Sequence, residues 1–249
     1  MEDEKLLRYS RQIMLPEIDA SGQVKLADST VLIVGLGGLG SSASIYLTAA
    51  GVGHLILVDF DKVDLSNLQR QIVHSSKDIG RMKIESASDH LRALNPDIKL
   101  SLIGHALEGD ELIDVMSKTD IVIDATDNFN ARFALNEASV KTRTPLVSGA
   151  AIRFESQVSV FDPRDPVSPC YRCLYNDDAQ VEETCTANGV ISPLLGIIGS
   201  IQAMEAMKLI MGIGKTLTGK LLLFDALNME WHQANLPKDP GCPVCSDAK

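Results

Sequence analysis

Continuous apolar runs alternate with amphipathic segments along the first part of the chain. The runs at 31–34, 55–58 and 121–123 consist of aliphatic residues only, which is typical of strands buried on both faces of a parallel sheet. Alternation of such strands with helices predicts a Rossmann-like, doubly wound α/β fold with a mostly parallel sheet. The other elements predicted here are helices at 41–50, 81–94, 111–117 and 130–141, a polar helical region before residue 30, and strands at 98–103 and from 145.

The pattern changes in the last hundred residues. Apolar and polar residues alternate over 157–161, as they do in half-buried antiparallel strands, and a final strand pair is predicted at 220–224 and 229–232. A long apolar helix is predicted over 194–211, whereas the polar stretch 176–188 is expected to form a loop. These antiparallel strands would extend the parallel sheet at its C-terminal end.

The charge balance excludes some partners. The net charge is −10 and the pI is about 4.9, and because phosphate backbones are bound through basic patches, bare nucleic acid is not an expected partner. The N-terminus lacks the basic and apolar regions of a secretory signal. The uncharged stretch 190–204 contains Ser192 and Gln202 and is too short and too polar for a membrane span. A cytoplasmic protein without a membrane partner is therefore expected.

A glycine-rich turn follows the first predicted strand. Residues 35–40 read GLGGLG, and glycines at this spacing between a strand and a helix let the backbone approach a phosphate at the helix N-terminus. Asp59 follows the second strand, where a carboxylate accepts a hydroxyl of a ribose. Nucleotide binding is therefore predicted, but NAD, FAD and ATP users share this layout. Glycines that serve only helix–strand packing are the alternative.

Groups suited to phosphate chemistry follow the second and fourth strands. Arg70 offers a forked donor for phosphate oxygens, Lys83 adds a cation, and Asp127 with Asn128 comes at the carboxyl end of the fourth strand. Cations and Mg²⁺ held by a carboxylate would let an attacking carboxylate meet an α-phosphate. The segment therefore favours nucleotidyl transfer, with ordinary surface charge as the alternative. The amides of Asn67 and Gln71 and the carboxylates of Asp61 and Asp64 share the segment.

The five cysteines do not suggest a disulfide framework. Four of them form two C-x-x-C pairs, Cys170 with Cys173 and Cys242 with Cys245, and four thiolates are a tetrahedral ligand set that Zn²⁺ prefers. A structural zinc site that ties the C-terminal end to the body is predicted. Two redox dithiols are the alternative. Cys185 stands alone beside two glutamates, which disfavour a thiolate.

Nine motifs occur in a characteristic order along essentially the whole chain: RYSRQI, GLGGLG, LVDFDKVDLSNLQRQ, NPDI, DATDN, PLVSGAAIR, CYRCL, SIQAMEAMKL and GCPVC. Together they resemble the MoeB/ThiF family, whose members are relatives of ubiquitin-activating enzymes. The resemblance implies ATP-dependent adenylylation of the C-terminal glycine of a ubiquitin-like sulfur carrier. It also implies zinc at the four paired cysteines and Mg²⁺ at Asp127. The residues it assigns to ATP are Gly38, Asp59, Ser66, Asn67, Leu68, Gln69, Arg70, Lys83, Asp127 and Asn128.

The resemblance carries further implications that the residues alone do not. Arg11 would reach into the neighbouring subunit's site and act with Arg70, Lys83 and Asp127 as a catalytic residue, so a homodimer is implied. One domain over 1–249 is expected, with the nucleotide-binding half at 1–150. Residues 151–249 would then hold the antiparallel strands, the zinc site and the carrier surface.

Several alternatives remain open at this point. PLVSGAAIR favours a carrier of the MoaD type in molybdenum cofactor biosynthesis, but a ThiS-type carrier for thiamine fits other motifs equally well. A tRNA-modifying dehydratase fits the cysteines poorly. Cys185 either forms a covalent intermediate with the activated carrier or is an inert thiol in a loop. Outside the family, one alternative is an NAD-dependent oxidoreductase, in which Arg70 and Lys83 would have no function. Another is a non-catalytic scaffold, which would bind a carrier without releasing pyrophosphate.

Overall fold

The structure is a computed structural model that describes residues 3–175 and 188–246. Its helices are α1 (Asp3–Arg8), α2 (Ser10–Ile13), α3 (Asp19–Asp28), α4 (Gly38–Ala50), α5 (Lys83–Leu94), α6 (Gly109–Ser117), α7 (Phe129–Thr142), α8 (Tyr171–Leu174) and α9 (Ser192–Met211). Its strands are β1 (Thr30–Val34), β2 (His54–Val58), β3 (Lys99–Ile103), β4 (Ile121–Asp124), β5 (Leu146–Ile152), β6 (Glu155–Phe161), β7 (Lys220–Asp225) and β8 (Glu230–Asn235).

The eight strands form one sheet in the order β3-β2-β1-β4-β5-β6-β7-β8. The first five pair in parallel, and β6, β7 and β8 continue the sheet in antiparallel pairings. The predicted fold is thus confirmed. The strand order reverses around β1, which lies between β2 and β4, and in open α/β sheets ligands bind at the carboxyl ends of strands at such a switch point.

The register brings the carboxyl ends of β1, β2 and β4 level with one another. Val34 pairs with Val58 on one side and with Asp124 on the other. The chain therefore leaves all three strands at one edge of the sheet. The glycine turn, the segment after Asp59 and the segment before Asp127 begin side by side there.

Side chains of each buried strand alternate between two apolar cores. Val31 and Ile33 of β1 face the core under α4, α5 and α9, whereas Leu32 faces the core under α6 and α7, as the two-residue period of a strand requires. Both faces of the parallel sheet are therefore covered, which is why its strands appear in the sequence as unbroken apolar runs.

Helix α9 corrects the sequence analysis of the apolar stretch near the C-terminus. The helix spans 20 residues with a hydropathy of 1.5, so by length and composition it is long enough to cross a membrane. It lies in the core instead. Gln202 donates from Nε2 to the Asp124 carbonyl at 2.7 Å and to the Val147 carbonyl at 3.1 Å, and the Glu205 carboxylate accepts from the Leu217 backbone N–H.

Other differences from the predicted elements are local. Helix α4 begins at Gly38 rather than at Ser41 because the last three residues of the glycine turn, 38–40, already adopt helical geometry. Helix α5 begins at Lys83 rather than at Arg81 because Met82 forms an isolated β-bridge with Lys62. The four-residue helix α8 was not predicted. Of the expected loop 176–188, residues 176–187 lie outside the described part of the chain.

Candidate nucleotide site and cysteine cluster

Three glycines of the turn have different steric roles. Gly35 has φ +93°, and a Cβ on it would lie 2.7 Å from the Ala125 carbonyl oxygen. A Cβ on Gly40 would lie 1.9 Å from the Gly35 carbonyl oxygen. The nearest atom to a Cβ on Gly37 would be Gln71 Nε2, at 3.8 Å. The turn is therefore closed toward the protein and open at Gly37, which is the geometry that admits a phosphate.

Gly38, which the family resemblance assigns to ATP, has a packing role. A Cβ on it would lie 2.4 Å from Leu195 Cδ1, so the glycine lets α4 lie close to α9. Because Gly38 is the first residue of α4, its backbone N–H has no partner within the helix and faces the N-terminal end. Any contact with a nucleotide would be made through that N–H.

Asp59 directly follows the carboxyl end of β2, as predicted, and its carboxylate holds the glycine turn through hydrogen bonds. Its Oδ2 accepts from the Leu36 backbone N–H at 2.7 Å and its Oδ1 accepts from the Asp61 backbone N–H at 2.8 Å. Burial raises the pKa of Asp59, which the positive charge of Lys83 partly opposes. The carboxylate thus fixes the turn and keeps lone pairs for a ribose hydroxyl.

His74, which the sequence analysis did not single out, holds the same residue, Leu36, through its carbonyl. One ring nitrogen, Nε2, lies 3.2 Å from the Leu36 carbonyl oxygen, and the other lies 2.9 Å from Ser86 Oγ. Burial lowers the pKa of His74, so the ring is neutral at pH 7 and donates through Nε2. A lone histidine in a polar segment carries no sequence pattern that reveals this contact.

Lys83, which is predicted to bind a phosphate, is the first residue of α5. Its side chain is 7% exposed, and its Nζ lies 2.8 Å from Asp61 Oδ2. Because Asp61 is largely exposed, the ammonium is neutralised by a carboxylate that can turn away into solvent. The structure therefore brings Lys83 and Asp59 together at the switch point, and it identifies Asp61 as the partner of the lysine.

The segment between these groups is a short 3₁₀ turn that presents Arg70. Asp64 caps this turn by accepting from the Ser66 backbone N–H at 2.8 Å, and Asn67 Oδ1 accepts from the Asp64 backbone N–H at 3.2 Å. Arg70 donates from Nη1 to the Ser66 carbonyl at 2.9 Å. Its other guanidinium N–H groups have no partner within the part of the chain that the structure describes. Leu68 lies in the same turn.

Two glutamines flank Arg70. The Gln69 carbonyl accepts from Ser192 Oγ at the start of α9, so its role in the structure is through the backbone. Gln71 is 4% exposed and its Oε1 has no hydrogen-bond partner among the described residues. Its Nε2 would lie 3.8 Å from a Cβ on Gly37, so this buried amide lies beside the open glycine of the turn.

Asp127 and Asn128 lie beyond the end of β4. Asp127 is exposed, and no hydrogen bond or ion pair engages its carboxylate within residues 3–175 and 188–246, so it is open to a hard cation. Asn128 is the N-cap of α7, and its Oδ1 accepts from the Ala131 backbone N–H at 2.9 Å. The predicted nucleotide role of Asn128 would therefore fall to its amide nitrogen.

Arg11 lies on α2 and is exposed, with no hydrogen bond or ion pair to any described residue. Its predicted function in a neighbouring subunit therefore stays a prediction. Cys185 falls outside the described residues.

A buried polar network lies beneath Asp127. Asp124 is fully buried, and its carboxylate accepts from Thr126 Oγ1 and Ser148 Oγ, both at 2.7 Å. Arg132 of α7 balances the charge with its Nε 3.9 Å from Asp124 Oδ2. The sequence analysis missed this network because the arginine lies inside a helical segment and its partners are distant along the chain.

The four paired cysteines converge, as predicted. Their sulfurs lie within 4.8 Å of one another, and the Cys170–Cys242 and Cys173–Cys245 distances are 3.6 and 3.4 Å. Tetrahedral zinc thiolates require sulfurs about 3.8 Å apart. The cluster therefore fits one metal ion with four soft ligands and no open position. Burial raises the pKa of Cys170 to about 11, so a bound cation would be needed to hold that thiolate at neutral pH.

A cavity of about 530 Å³ borders the cluster and is lined by Cys170 and Cys245. Lys141, Arg143 and Lys238 also line it. A divalent ion with four thiolates carries a net charge of about −2, which these cations would offset. The cavity is remote from the glycine turn and belongs to the surroundings of the cluster.

Comparisons with known proteins identify relatives of this chain. The ThiF family profile matches residues 9–244. The molybdopterin-synthase adenylyltransferase of Escherichia coli (strain K12) is 48% identical, with 98% of each chain covered. The sulfur carrier protein ThiS adenylyltransferase of the same organism is 46% identical and covers 98% of this chain and 97% of its own. The solved structure of E. coli MccB with ATP is 26% identical, with a TM-score of 0.83 over 96% of this chain and 74% of that one.

Proposed function

Because the chain belongs to the ThiF family, as its motifs indicated, we propose that it is an adenylyltransferase that uses ATP to activate the C-terminal carboxylate of a small sulfur-carrier protein. One observation carries this proposal. The glycine turn, the segment that carries Arg70 and buried Lys83, and the segment that carries the exposed carboxylate of Asp127 leave the sheet at the carboxyl ends of the neighbouring strands β1, β2 and β4. The adenylyltransferase relatives favour ATP over the dinucleotide of an oxidoreductase.

The reaction joins two anions. A carboxylate oxygen of the carrier attacks the α-phosphorus of ATP, the bond between the α- and β-phosphates breaks, and pyrophosphate leaves. Charge that develops on the phosphate oxygens needs cations aimed at it. Arg70 and Lys83 supply them from this chain, and Asp127 would hold the Mg²⁺ that shields the triphosphate.

Binding is divided among the other residues of the site. The first N–H groups of α4 would receive a phosphate, Asp59 would accept a ribose hydroxyl, and the turn that holds Ser66, Asn67, Leu68 and Gln69 would enclose the nucleotide. We assign Arg11 to the active site of a second copy of this chain, so that the active form is a homodimer. The nucleotide half would be 1–150, and 151–249 would hold the zinc site and dock the carrier, in one domain.

The carrier is proposed to be of the MoaD type, which places the reaction in molybdenum cofactor biosynthesis in the cytoplasm. A relative at 48% identity is named for molybdopterin synthase. A ThiS-type carrier is the second candidate, since a relative named for ThiS is 46% identical over the same span. Incubation with each carrier in turn, followed by measurement of pyrophosphate release, separates the two.

Asp127 provides the test of the chemistry. Asp127→Asn is expected to lower carrier-dependent ATP–pyrophosphate exchange by about 100-fold, because the amide removes the charge that would hold Mg²⁺. Asp110→Asn, a change at an exposed carboxylate in the first turn of α6, serves as the matched control and should exchange at the normal rate. Equal rates for the two variants would refute the proposed role of Asp127.

A further inference from the structure

We propose that the cysteine cluster positions Asp127 through helix α7, and that Arg132 is the positioning residue that links them. The inference rests on the proposed function, because it assigns the cluster a part in placing the Mg²⁺ ligand. The link consists of hydrogen bonds from α7 to the backbone and side chain of one residue of the cysteine motif, Tyr171.

The first contact joins α7 to the cysteine motif directly. Asn136 is 1% exposed, and its Oδ1 accepts from the Tyr171 backbone N–H at 2.7 Å. Its Nδ2 lies 3.6 Å from Cys170 Sγ. The middle of α7 is thus fixed to the segment that carries two of the four thiols. A bound metal would immobilise this segment by tying it to the second cysteine pair.

The second contact connects Tyr171 of the same motif to the segment that precedes Asp127. Arg132 donates from Nη1 to the Tyr171 hydroxyl at 3.4 Å and from Nη2 to the Thr126 carbonyl at 2.7 Å. The Thr126 carbonyl belongs to the peptide bond that joins Thr126 to Asp127. Arg132 therefore fixes the peptide plane from which the Asp127 side chain departs.

Both contacts act on one rigid element. Arg132 and Asn136 are four residues apart, so they share a face of α7, and that face points at Tyr171. The Nε of Arg132 has no hydrogen-bond partner among the described residues; it lies 3.9 Å from Asp124 Oδ2. The orientation of the guanidinium is therefore set by its Nη contacts, which reach the Tyr171 hydroxyl and the Thr126 and Gly149 carbonyls, the last at 3.4 Å. When the cysteine motif moves, Arg132 loses one of its few fixed partners.

Tyrosine hydroxyls offer a matched pair of variants. Tyr171→Phe removes the acceptor of Arg132 and keeps the aromatic packing. Tyr175→Phe is the control, because among the described residues its hydroxyl bonds to the Gln157 amide, at 2.7 and 2.8 Å, and not to Arg132, while its ring lies 5.0 Å from that of Tyr171. Both changes delete one oxygen from the same aromatic cluster.

The first readout is amide hydrogen exchange in the zinc-loaded protein, with no nucleotide present. Tyr171→Phe is expected to raise exchange at 126–129 about threefold, and Tyr175→Phe to leave it unchanged. Removal of zinc from the wild-type protein by a chelator should raise exchange at 126–129 more than at strand β2. Equal effects of the two variants, or an equal rise in both segments after chelation, would overturn the proposal.

The second readout is the Mg²⁺ concentration that gives half-maximal pyrophosphate exchange. It should rise about threefold in Tyr171→Phe and stay unchanged in Tyr175→Phe, whereas loss of general stability would lower the rate without shifting this concentration. A rate that falls in Tyr171→Phe with the same Mg²⁺ dependence would contradict a positioning role. If no exchange occurs in any variant, the proposed function fails, and the nucleotide-free hydrogen exchange still decides whether the coupling exists.

Discussion

At the scale of single residues, the site combines groups that the sequence marks with groups that it does not. Lys83, Arg70 and Asp127 could be predicted because cations and carboxylates cluster after predicted strands. His74 and Arg132 could not, because their partners, the Leu36 and Thr126 carbonyls, become neighbours only when the chain has folded. Polar residues with such partners leave no periodic pattern.

Lys83 is the cation whose removal should be most costly. Lys83→Gln is expected to lower the rate constant of pyrophosphate exchange by about 100-fold, since one lost charge at a transition state costs about that factor. Lys77→Gln, at an exposed lysine in a nearby 3₁₀ turn, is the matched control. Steady-state exchange assays on both variants decide the matter, and comparable rates would mean that Lys83 does not act on the phosphate.

The free energy of unfolding is expected to depend on pH through Asp78, whose hydrogen bonds hold the turn that leads into α5. Burial alone would raise the pKa of Asp78, but hydrogen bonds from Ser75 and Arg81 lower it to about 2 from its ordinary 3.8. A depressed pKa in the folded state contributes stability above pH 3.8 that is lost as the pH falls toward 2.

The acid limb of the unfolding curve should therefore depend on Asp78. Asp78→Asn is expected to make the free energy of unfolding fall less steeply between pH 4 and 2, as followed by urea titrations at each pH. Asp97→Asn, at an exposed carboxylate 3.7 Å from Lys5, is the control and should keep the wild-type slope. An unchanged slope in Asp78→Asn would contradict this assignment.

At the scale of elements, helix and strand positions followed from periodicity, whereas helix ends and close contacts did not. The start of α4 at Gly38 and the position of α9 depend on how closely the two helices approach. A Cβ on Gly199 of α9 would lie 2.4 Å from the Leu39 carbonyl oxygen. A Cβ on Gly196 would lie 3.9 Å from Ser42 Oγ, with no other described atom within 4 Å. Neither distance can be inferred from the sequence of one helix.

Substitution by alanine should therefore change the free energy of unfolding in opposite directions at two glycines of α9. Gly199→Ala is expected to lower the free energy of unfolding by about 2 kcal/mol because the new methyl group meets backbone atoms. Gly196→Ala should raise it by about 0.5–1 kcal/mol because alanine favours helix where space exists. Chemical denaturation of both variants tests the pair, and a destabilised Gly196→Ala would show that the helix packing is described incorrectly.

At the scale of the whole molecule, the sheet connects two sites with different tasks. Its parallel half ends at the proposed nucleotide site, and the segments after its antiparallel strands carry the cysteines that close the C-terminal end onto α7 and α8. The doubly wound class could be predicted from alternating strands and helices. The convergence of the two cysteine pairs was expected from metal chemistry, but their contact with α7 was not, because it joins residues far apart along the chain.

Removal of the metal should lower the stability of the whole folded chain. Chelation is expected to lower the melting temperature, because four buried or half-buried thiols then lose the ion that holds them together. Readdition of Zn²⁺ should restore it. Cys242→Ser, which removes one of the ligands, should melt at the lower temperature with or without zinc. A melting temperature that is insensitive to both treatments would contradict a structural metal site.

The central claim is that the cations and carboxylate at one edge of the sheet let a carrier carboxylate attack ATP. The most direct measurement is the intact mass of a MoaD-type carrier after incubation with this protein, ATP and Mg²⁺, with Arg70→Ala as the comparison. The account predicts a carrier heavier by one AMP with the wild-type protein and an unmodified carrier with the variant. An unmodified carrier of either type with the wild-type protein, or full modification by Arg70→Ala, would contradict it.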